Sequence, residues 1–247
     1  MPAPRFWEFA HLTDSTKNMG WLDRIPRATT GLNTDGGGGG GVDDGGKGGR
    51  GNLYIGGLHA LYSHPHLLRE AKVSHVLSVI DFDISTEGDG QSNGEGVGGG
   101  GGVLEGYKHL MIREDDEPNA NLLQYFERTN DFIEEGLRGG KEGEGGGGGG
   151  GGVFVHCAMG KSRSATVCCA YLMWKYNLSP QEALQWVCEG RAVCSPNPGF
   201  MEQLGVWRRM LDVQDRVGRE GIYRDWEANR FKGDYWEWEK RGKGAKL

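Results

Sequence analysis

The stretch Val-Phe-Val-His-Cys-Ala-Met-Gly-Lys-Ser-Arg-Ser at positions 153–164 decides how the rest of the chain is read. Val153, Phe154 and Val155 are apolar β-formers and predict a short buried strand. Beyond the stretch, Ala165, Val167, Cys168, Cys169, Ala170, Leu172 and Met173 predict a buried helix. A strand that turns through a tight loop onto a helix N-terminus gathers backbone N–H groups and the positive end of the helix dipole around one point. That makes an anion site. Cys157 stands at the strand end, with five residues between it and Arg163. A cysteine in so electropositive a loop is placed to act as a thiolate nucleophile. Arg163 closes the loop, and its planar fork can hold two equatorial oxygens of a phosphoryl group. Gly160 lets the backbone curl at mid-loop. Ser164, at the helix start, can donate a hydrogen bond to the sulfur and ease its later departure. His156 is read as setting the loop geometry and the thiolate network rather than as a base. Ala158, Met159, Gly160, Lys161 and Ser162, with Arg163, form the expected phosphoryl-binding set.

The chain has 247 residues, enough for a sizeable core. Its 46 glycines distort the average composition, because many stand in homopolymeric tracts at 36–41, 98–102 and 145–152. Such tracts have no side chains to pack and are expected to be flexible. Setting them and both ends aside leaves one domain of about 150 residues. A net charge of −6 argues against direct nucleic-acid binding and against acidic membranes. No apolar run approaches membrane-spanning length, and the N-terminus lacks the basic-then-apolar pattern of a secretion signal. The five cysteines, an odd number, make no disulfide framework, and none of their spacings fits a zinc site. Cys168 and Cys169 read as small apolar helix residues. The expectation is a soluble protein of a reducing compartment, cytoplasmic or nuclear, that needs no metal or other cofactor.

Taken in order, residues 1–51 read as a poorly ordered leader. Within it Phe6, Trp7 and Phe9 pack at most locally, the segment from Met19 to Pro26 is an edge strand or anchor, and the glycine-dominated remainder is disordered. Leu53, Tyr54 and Ile55 predict a strand that ends in a glycine turn. Leu67, Leu68 and Ala71 mark one face of a short helix, and a turn at Pro65 accounts for His64 and His66 better than a metal site does. Residues 73–80 are strongly β-prone. Val103, Leu104 and residues 107–112 predict a further strand, which leads into Glu114, Asp115, Asp116 and Glu117. A helix is expected from about Asn119, with Leu122, Phe126, Ile133 and Leu137 at helical spacing. Ser179, Pro180 and Glu182 open a capped helix with Ala183, Leu184, Trp186 and Val187 on its core face. Residues 195–200 carry a second helix start, and the helix to about 213 buries Leu204, Trp207 and Leu211. The aromatic and charged tail, 214–247, reads as a segment packing back on the domain. Strands spaced by helices predict an α/β domain over 52–213, with a central, mostly parallel sheet flanked by helices and glycine-rich insertions near 85–102 and 139–152. The nucleophile then lies at the carboxyl end of a strand, where ligands bind in such sheets.

The string His156, Cys157, five residues, Arg163, Ser164 resembles the signature of the cysteine-based protein tyrosine phosphatase superfamily. A buried cysteine beside an incidental arginine would not fill every position of that signature within a strand–loop–helix context. A thiolate alone expels an alkoxide poorly, so an acid must protonate the leaving oxygen. By itself the run at 114–117 would be a solvated charge cluster. Residues 116–126, Asp-Glu-Pro-Asn-Ala-Asn-Leu-Leu-Gln-Tyr-Phe, are however similar to the acid loop of dual-specificity phosphatases. The resemblance implies Asp116 as the acid, with Asp115 as the alternative next to it. The likeness runs from about residue 52 to 211. Within the family it is similar to the fungal branch linked to ribosome maturation, on Leu-Ser-Pro-Gln-Glu-Ala at 178–183 and Ile-Tyr-Arg-Asp-Trp at 222–226. In that branch a cysteine-rich zinc-binding domain follows the phosphatase domain. No cysteine lies beyond Cys194, so that domain is not expected within these 247 residues.

What the resemblance implies is a protein-tyrosine-phosphatase-like fold of the dual-specificity type. The implied activity is hydrolysis of phosphotyrosine and phosphoserine/threonine in phosphoprotein substrates, through a phosphocysteine intermediate. A lipid or glucan phosphatase is a weaker enzymatic rival, since Lys161 is the one lysine inside the loop and no carbohydrate-binding module is evident. A rival of another class is an assembly or scaffold factor for which catalysis is dispensable, with a pre-ribosomal partner implied by the resemblance alone.

Overall fold

In the computed structural model the described residues are 20–28, 51–82, 84, 102–138 and 151–244, the side chains of 242–244 excepted. The elements run β1 (Leu22–Arg24), β2 (Leu53–Gly57), α1 (His59–Tyr62), α2 (Pro65–Glu70), β3 (Val73–Val79) and β4 (Lys108–Ile112). There follow α3 (Phe126–Arg138), β5 (Gly152–Cys157), α4 (Arg163–Tyr176), α5 (Pro180–Gly190), α6 (Pro198–Leu211), α7 (Arg216–Asn229) and α8 (Tyr235–Gly244). The five strands form one sheet in the order β1-β2-β5-β3-β4. β2, β5, β3 and β4 are parallel, and β1 pairs antiparallel at the edge. The expected α/β architecture with a mostly parallel sheet is what the chain adopts.

β5 is central because it is apolar on both faces, as a strand covered from both sides must be. Successive side chains alternate. Val153 and Val155 enter the core formed with α3, α4, α5 and α6, while Phe154 enters a second core with Leu61, Leu68 and Val76. α4 is buried on every side from Arg163 to Met173, the pattern of a core helix rather than a surface one. Around it Phe126 and Trp207 meet edge to face with centroids 5.7 Å apart, and the Trp207 indole donates to the Ala170 carbonyl at 3.1 Å. Glu134 joins α3 to α4, accepting from the Tyr171 hydroxyl at 2.8 Å and from Lys175 Nζ at 2.7 Å. Burial alone would push that carboxyl up, but hydrogen bonds from Lys175, Tyr171 and Arg138 outweigh it and hold Glu134 below its ordinary value.

The helix starts read from sequence are present. Ser179 and Glu182 form a reciprocal capping box ahead of α5, and Asn197 caps α6 by accepting from the Phe200 N–H at 3.0 Å. α7 and α8 fold back onto α6, burying Trp226 and Trp238. No helix among the described residues is long and apolar enough to cross a membrane.

The structure corrects four readings. The sheet begins upstream of residue 52: Leu22 pairs with Gly56, and the Ile25 N–H donates to the Leu53 carbonyl at 2.9 Å. Of the two readings of Met19 to Pro26, edge strand or anchor, the strand is the one formed, and it extends the sheet beyond the expected start of the domain at residue 52. Val103 and Leu104 lie in turns, because Gly106 at φ +84° breaks the extended run before β4. The helix expected from Asn119 begins later, as a 3-10 turn at Leu123–Tyr125 followed by α3. The N–H groups of Leu122 and Leu123 are there held by Gln203 Oε1 at 2.8 and 2.9 Å. Gly152, read as the end of a glycine tract, is the first residue of β5. The tract at 36–41, residues 98–101 and 145–150, and Phe6, Trp7 and Phe9 lie outside the described residues.

Candidate active site

Cys157 closes β5 and the chain turns through 158–162 into α4, as the strand–loop–helix reading requires. The turn depends on Gly160, at φ +68°, where a Cβ would stand 2.4 Å from the carbonyl carbon and oxygen of Gly56. Only glycine fits both the dihedral and the gap. The thiol is buried. Its sulfur accepts from the Gly160 N–H at 3.2 Å and lies 3.3 Å from Ser164 Oγ. Donors thus converge on the sulfur from the loop backbone and from the first turn of the helix.

Arg163 is also buried, its Nη1 donating to the Glu114 carbonyl at 3.0 Å. Its Nε has no hydrogen-bond partner among the described residues and lies 3.8 Å from Asp116 Oδ2. A buried guanidinium N–H left open beside a thiol is the state of a donor that meets a ligand oxygen. Asp116 faces the loop. Its Oδ1 accepts from Ser162 Oγ at 2.6 Å and from Asn197 Nδ2 at 3.0 Å, which turns Oδ2 toward Arg163. Asp115 is hydrogen-bonded to Asp81, whose Oδ1 lies 3.8 Å from Arg163 Nη1. The Asp115 carboxyl is raised above the ordinary Asp value, first by burial and then by its hydrogen bond and charge repulsion with Asp81, against a lowering pull from Arg163. Of the two candidate acids, Asp116 is the one brought to the loop.

Ser162 lines the cavity with the rest of the loop, and its hydroxyl donates to Asp116 and accepts the Asn197 N–H at 3.1 Å, so the side chain also positions the acid. His156 sits behind the loop with no access to solvent. Burial, with further lowering from nearby His109 and Arg163, pushes it down to about 3, so it is a neutral imidazole. Its Nδ1–H donates to the Cys157 carbonyl at 3.3 Å, which leaves Nε2 to accept from Ser78 Oγ at 2.6 Å. Ser78 in turn accepts from His109 Nε2 at 2.9 Å. The chain crosses β5, β3 and β4 behind the nucleophile and fixes the end of β5.

Sequence reasoning missed Arg191. This buried residue donates from Nε to the Gly160 carbonyl at 2.7 Å and from Nη2 to the Met159 carbonyl at 2.9 Å. Its Nη1 pairs with Asp23 Oδ2 and donates to the Gly20 carbonyl at 2.7 Å. One guanidinium thereby turns two loop carbonyls away from the anion site and ties the loop to β1. No local pattern marks it. Asn197 was legible as a helix cap but not as a partner of Asp116.

Around the thiol opens a cavity of about 960 Å³, lined by Ala158, Met159, Lys161, Ser162 and Arg163 of the loop and by Asp116. A nucleophile at the floor, a cationic fork beside it and a carboxyl across from both can support attack on a tetrahedral oxyanion and protonation of its leaving group.

Comparison with known proteins agrees with this geometry. Residues 102–210 match the family described as dual specificity phosphatase, catalytic domain. Over 164 residues, 66% of this chain, the sequence is 33% identical to dual specificity protein phosphatase 1 of Arabidopsis thaliana, of which it covers 69%. Over 65% of the chain it is 32% identical to tyrosine-protein phosphatase YVH1 of Saccharomyces cerevisiae, and it spans 42% of that protein's length. The crystal structure of the Yvh1 phosphatase domain from Chaetomium thermophilum matches with a TM-score of 0.52 at 35% identity, covering 66% of this chain and 94% of that one. Human DUSP28 matches with a TM-score of 0.50 at 29% identity, over 65% of this chain and 90% of that one. The chain therefore belongs to the dual-specificity phosphatases, cysteine-based enzymes of the protein-tyrosine-phosphatase class.

Proposed function

We propose that this chain hydrolyses phosphotyrosine and phosphoserine/threonine monoesters of phosphoproteins in two steps. Cys157 Sγ attacks phosphorus, and the P–O bond to the leaving group breaks as the S–P bond forms. Asp116, in its acid form, delivers its proton from Oδ2 to the leaving oxygen. Arg163 and the loop amides hold the equatorial oxygens. Water then attacks phosphorus and gives its proton to the Asp116 carboxylate. The P–S bond breaks, and the Ser164 hydroxyl stabilises the departing thiolate. The observation that carries the reading is the convergence of the Gly160 N–H and Ser164 Oγ on the buried Cys157 sulfur, in a cavity that Arg163 and Asp116 line with it.

The test is steady-state hydrolysis of a small aryl phosphate in the presence of EDTA, comparing wild type with Cys157→Ser. Activity that survives EDTA and disappears in the variant is expected, and a folded but inactive wild type would overturn the proposal. The assembly-factor alternative, with a pre-ribosomal partner, rests on resemblance to the ribosome-linked branch. It gains support if Cys157→Ser restores growth to a strain lacking the protein.

A further inference from the structure

The loop that carries Asp116 is held from two directions: by the core, and by a segment past the family match, which ends at residue 210. From the core, Gln203 of α6 donates to the Ala120 carbonyl at 2.8 Å, while Ser162 and Asn197 hold Asp116 itself. From the far segment come α7, α8 and the turn between them. Asn119, three residues beyond Asp116, commits both ends of its amide there. Its Oδ1 accepts from the Trp238 indole N–H at 2.9 Å, and its Nδ2 donates to the Gly233 carbonyl at 3.0 Å. Its main-chain carbonyl accepts from Arg230 Nη1 at 2.7 Å. Asn121 adds a bond from Nδ2 to the Tyr223 hydroxyl at 3.0 Å.

The segment is itself braced, so these bonds tie the loop to something firm. Trp238 is buried and meets the Phe231 ring edge to face at 5.0 Å. Glu202 of α6 accepts from the Trp226 indole at 3.2 Å and pairs with Arg241 at 3.4 Å, so one carboxylate of the core fastens both α7 and α8. Tyr235 and Glu239 of α8 line the active-site cavity itself. A general acid works only where its proton meets the leaving oxygen, and a misplacement of about 1 Å can cost ~10²-fold. We propose that the α7–α8 segment is a clamp on the acid loop, with Asn119 and Trp238 as its central positioning pair. They hold the loop backbone so that Asp116 Oδ2 keeps its aim toward Arg163 and the phosphoryl site. The inference rests on the phosphoprotein-phosphatase reading and assigns to its acid step positioning residues that lie outside the matched domain.

The experiment measures kcat/KM, which covers the steps through release of the leaving group, on an alkyl phosphate and on an aryl phosphate with an acidic phenol. The first substrate needs a proton on its leaving oxygen and the second does not. The full chain is compared with Trp238→Phe, which removes the indole N–H and keeps a ring against Phe231, and with Asn119→Ala, which removes the pair from the loop side. Both are expected to lower the alkyl-to-aryl ratio by about ten-fold, short of the loss that follows removal of the acid itself. Trp236→Phe, the same change at an exposed position of α8, should keep the wild-type ratio. The ratio is taken within each protein, so a smaller folded fraction does not alter it. In an Asp116→Asn background Trp238→Phe should change the ratio no further, because two changes that act through one group do not add. A wild-type ratio in both Trp238→Phe and Asn119→Ala overturns the clamp alone, and so does a drop that persists undiminished beside Asp116→Asn. A wild type inactive on both substrates overturns the phosphatase reading, and this inference with it.

Discussion

Asp115 and Asp116 are adjacent in sequence, yet their side chains have different work to do. Asp116 is oriented by two donors on Oδ1, Ser162 and Asn197, while Asp115 shares a hydrogen bond with Asp81. An acid contributes when its proton lies within reach of the leaving oxygen, and such catalysis is typically worth ~10²–10⁴-fold. Asp116→Asn should therefore lower kcat by about 10²–10⁴-fold on an alkyl phosphate, whose leaving group needs the proton. The deficit should shrink on an aryl phosphate with an acidic phenol. Asp115→Asn should cost far less. The same two substrates measured across both variants check this, and a larger deficit in Asp115→Asn would move the acid to that residue.

At the scale of elements, the active loop is held from outside itself. The Met159–Gly160 peptide turns its N–H to the sulfur while its carbonyl accepts from Arg191, so that peptide plane is pinned at both ends. Arg191 stands just past α5 and reaches the loop and β1 at once. Arg191→Ala would leave buried carbonyls and the Asp23 carboxylate without their donor. Removing one partner of a buried charged pair costs about 3–5 kcal/mol. We expect a loss of that order in denaturant unfolding, together with a lower kcat per folded molecule. Arg191→Lys should recover only part of either, because a single ammonium cannot span carbonyls and carboxylate as the planar fork does.

Across the whole molecule, the sheet carries a buried neutral histidine at its centre, and this ties stability to pH. His156 is at about 3 in the folded chain, against an ordinary value of 6.5. The folded value is the lower one, so between these limits the unfolded chain binds the proton and the native chain does not. The stabilising contribution is complete above about 6.5 and is lost as the pH falls toward 3. The loss amounts to about 1.4 kcal/mol per pH unit within the window. Unfolding free energies of wild type and His156→Asn, measured from pH 7 to pH 4, should converge by that slope as the pH falls. Parallel curves would show that His156 does not stay neutral in the native state.

The chemistry of the site was readable along the chain because its parts are contiguous. Cys157, Gly160, Arg163 and Ser164 lie in one strand–loop–helix stretch, where spacing alone brings them to a point. The Ser179–Glu182 capping box was legible for the same reason, and so was the apolar run that makes α4 a core helix. Tertiary structure decided the rest. Arg191 meets Gly160 and Met159 across 31 and 32 residues, and Asp23 and Gly20 across 168 and 171. Asn119 holds Trp238 across 119 residues, which is how α8 comes to wall the cavity. β1 joins the sheet from a segment whose sequence left edge strand and anchor equally open. Local pattern reports what neighbouring residues can form together. Which distant carbonyl a buried guanidinium meets is set by packing around β5 and α4, and no short window of sequence contains it.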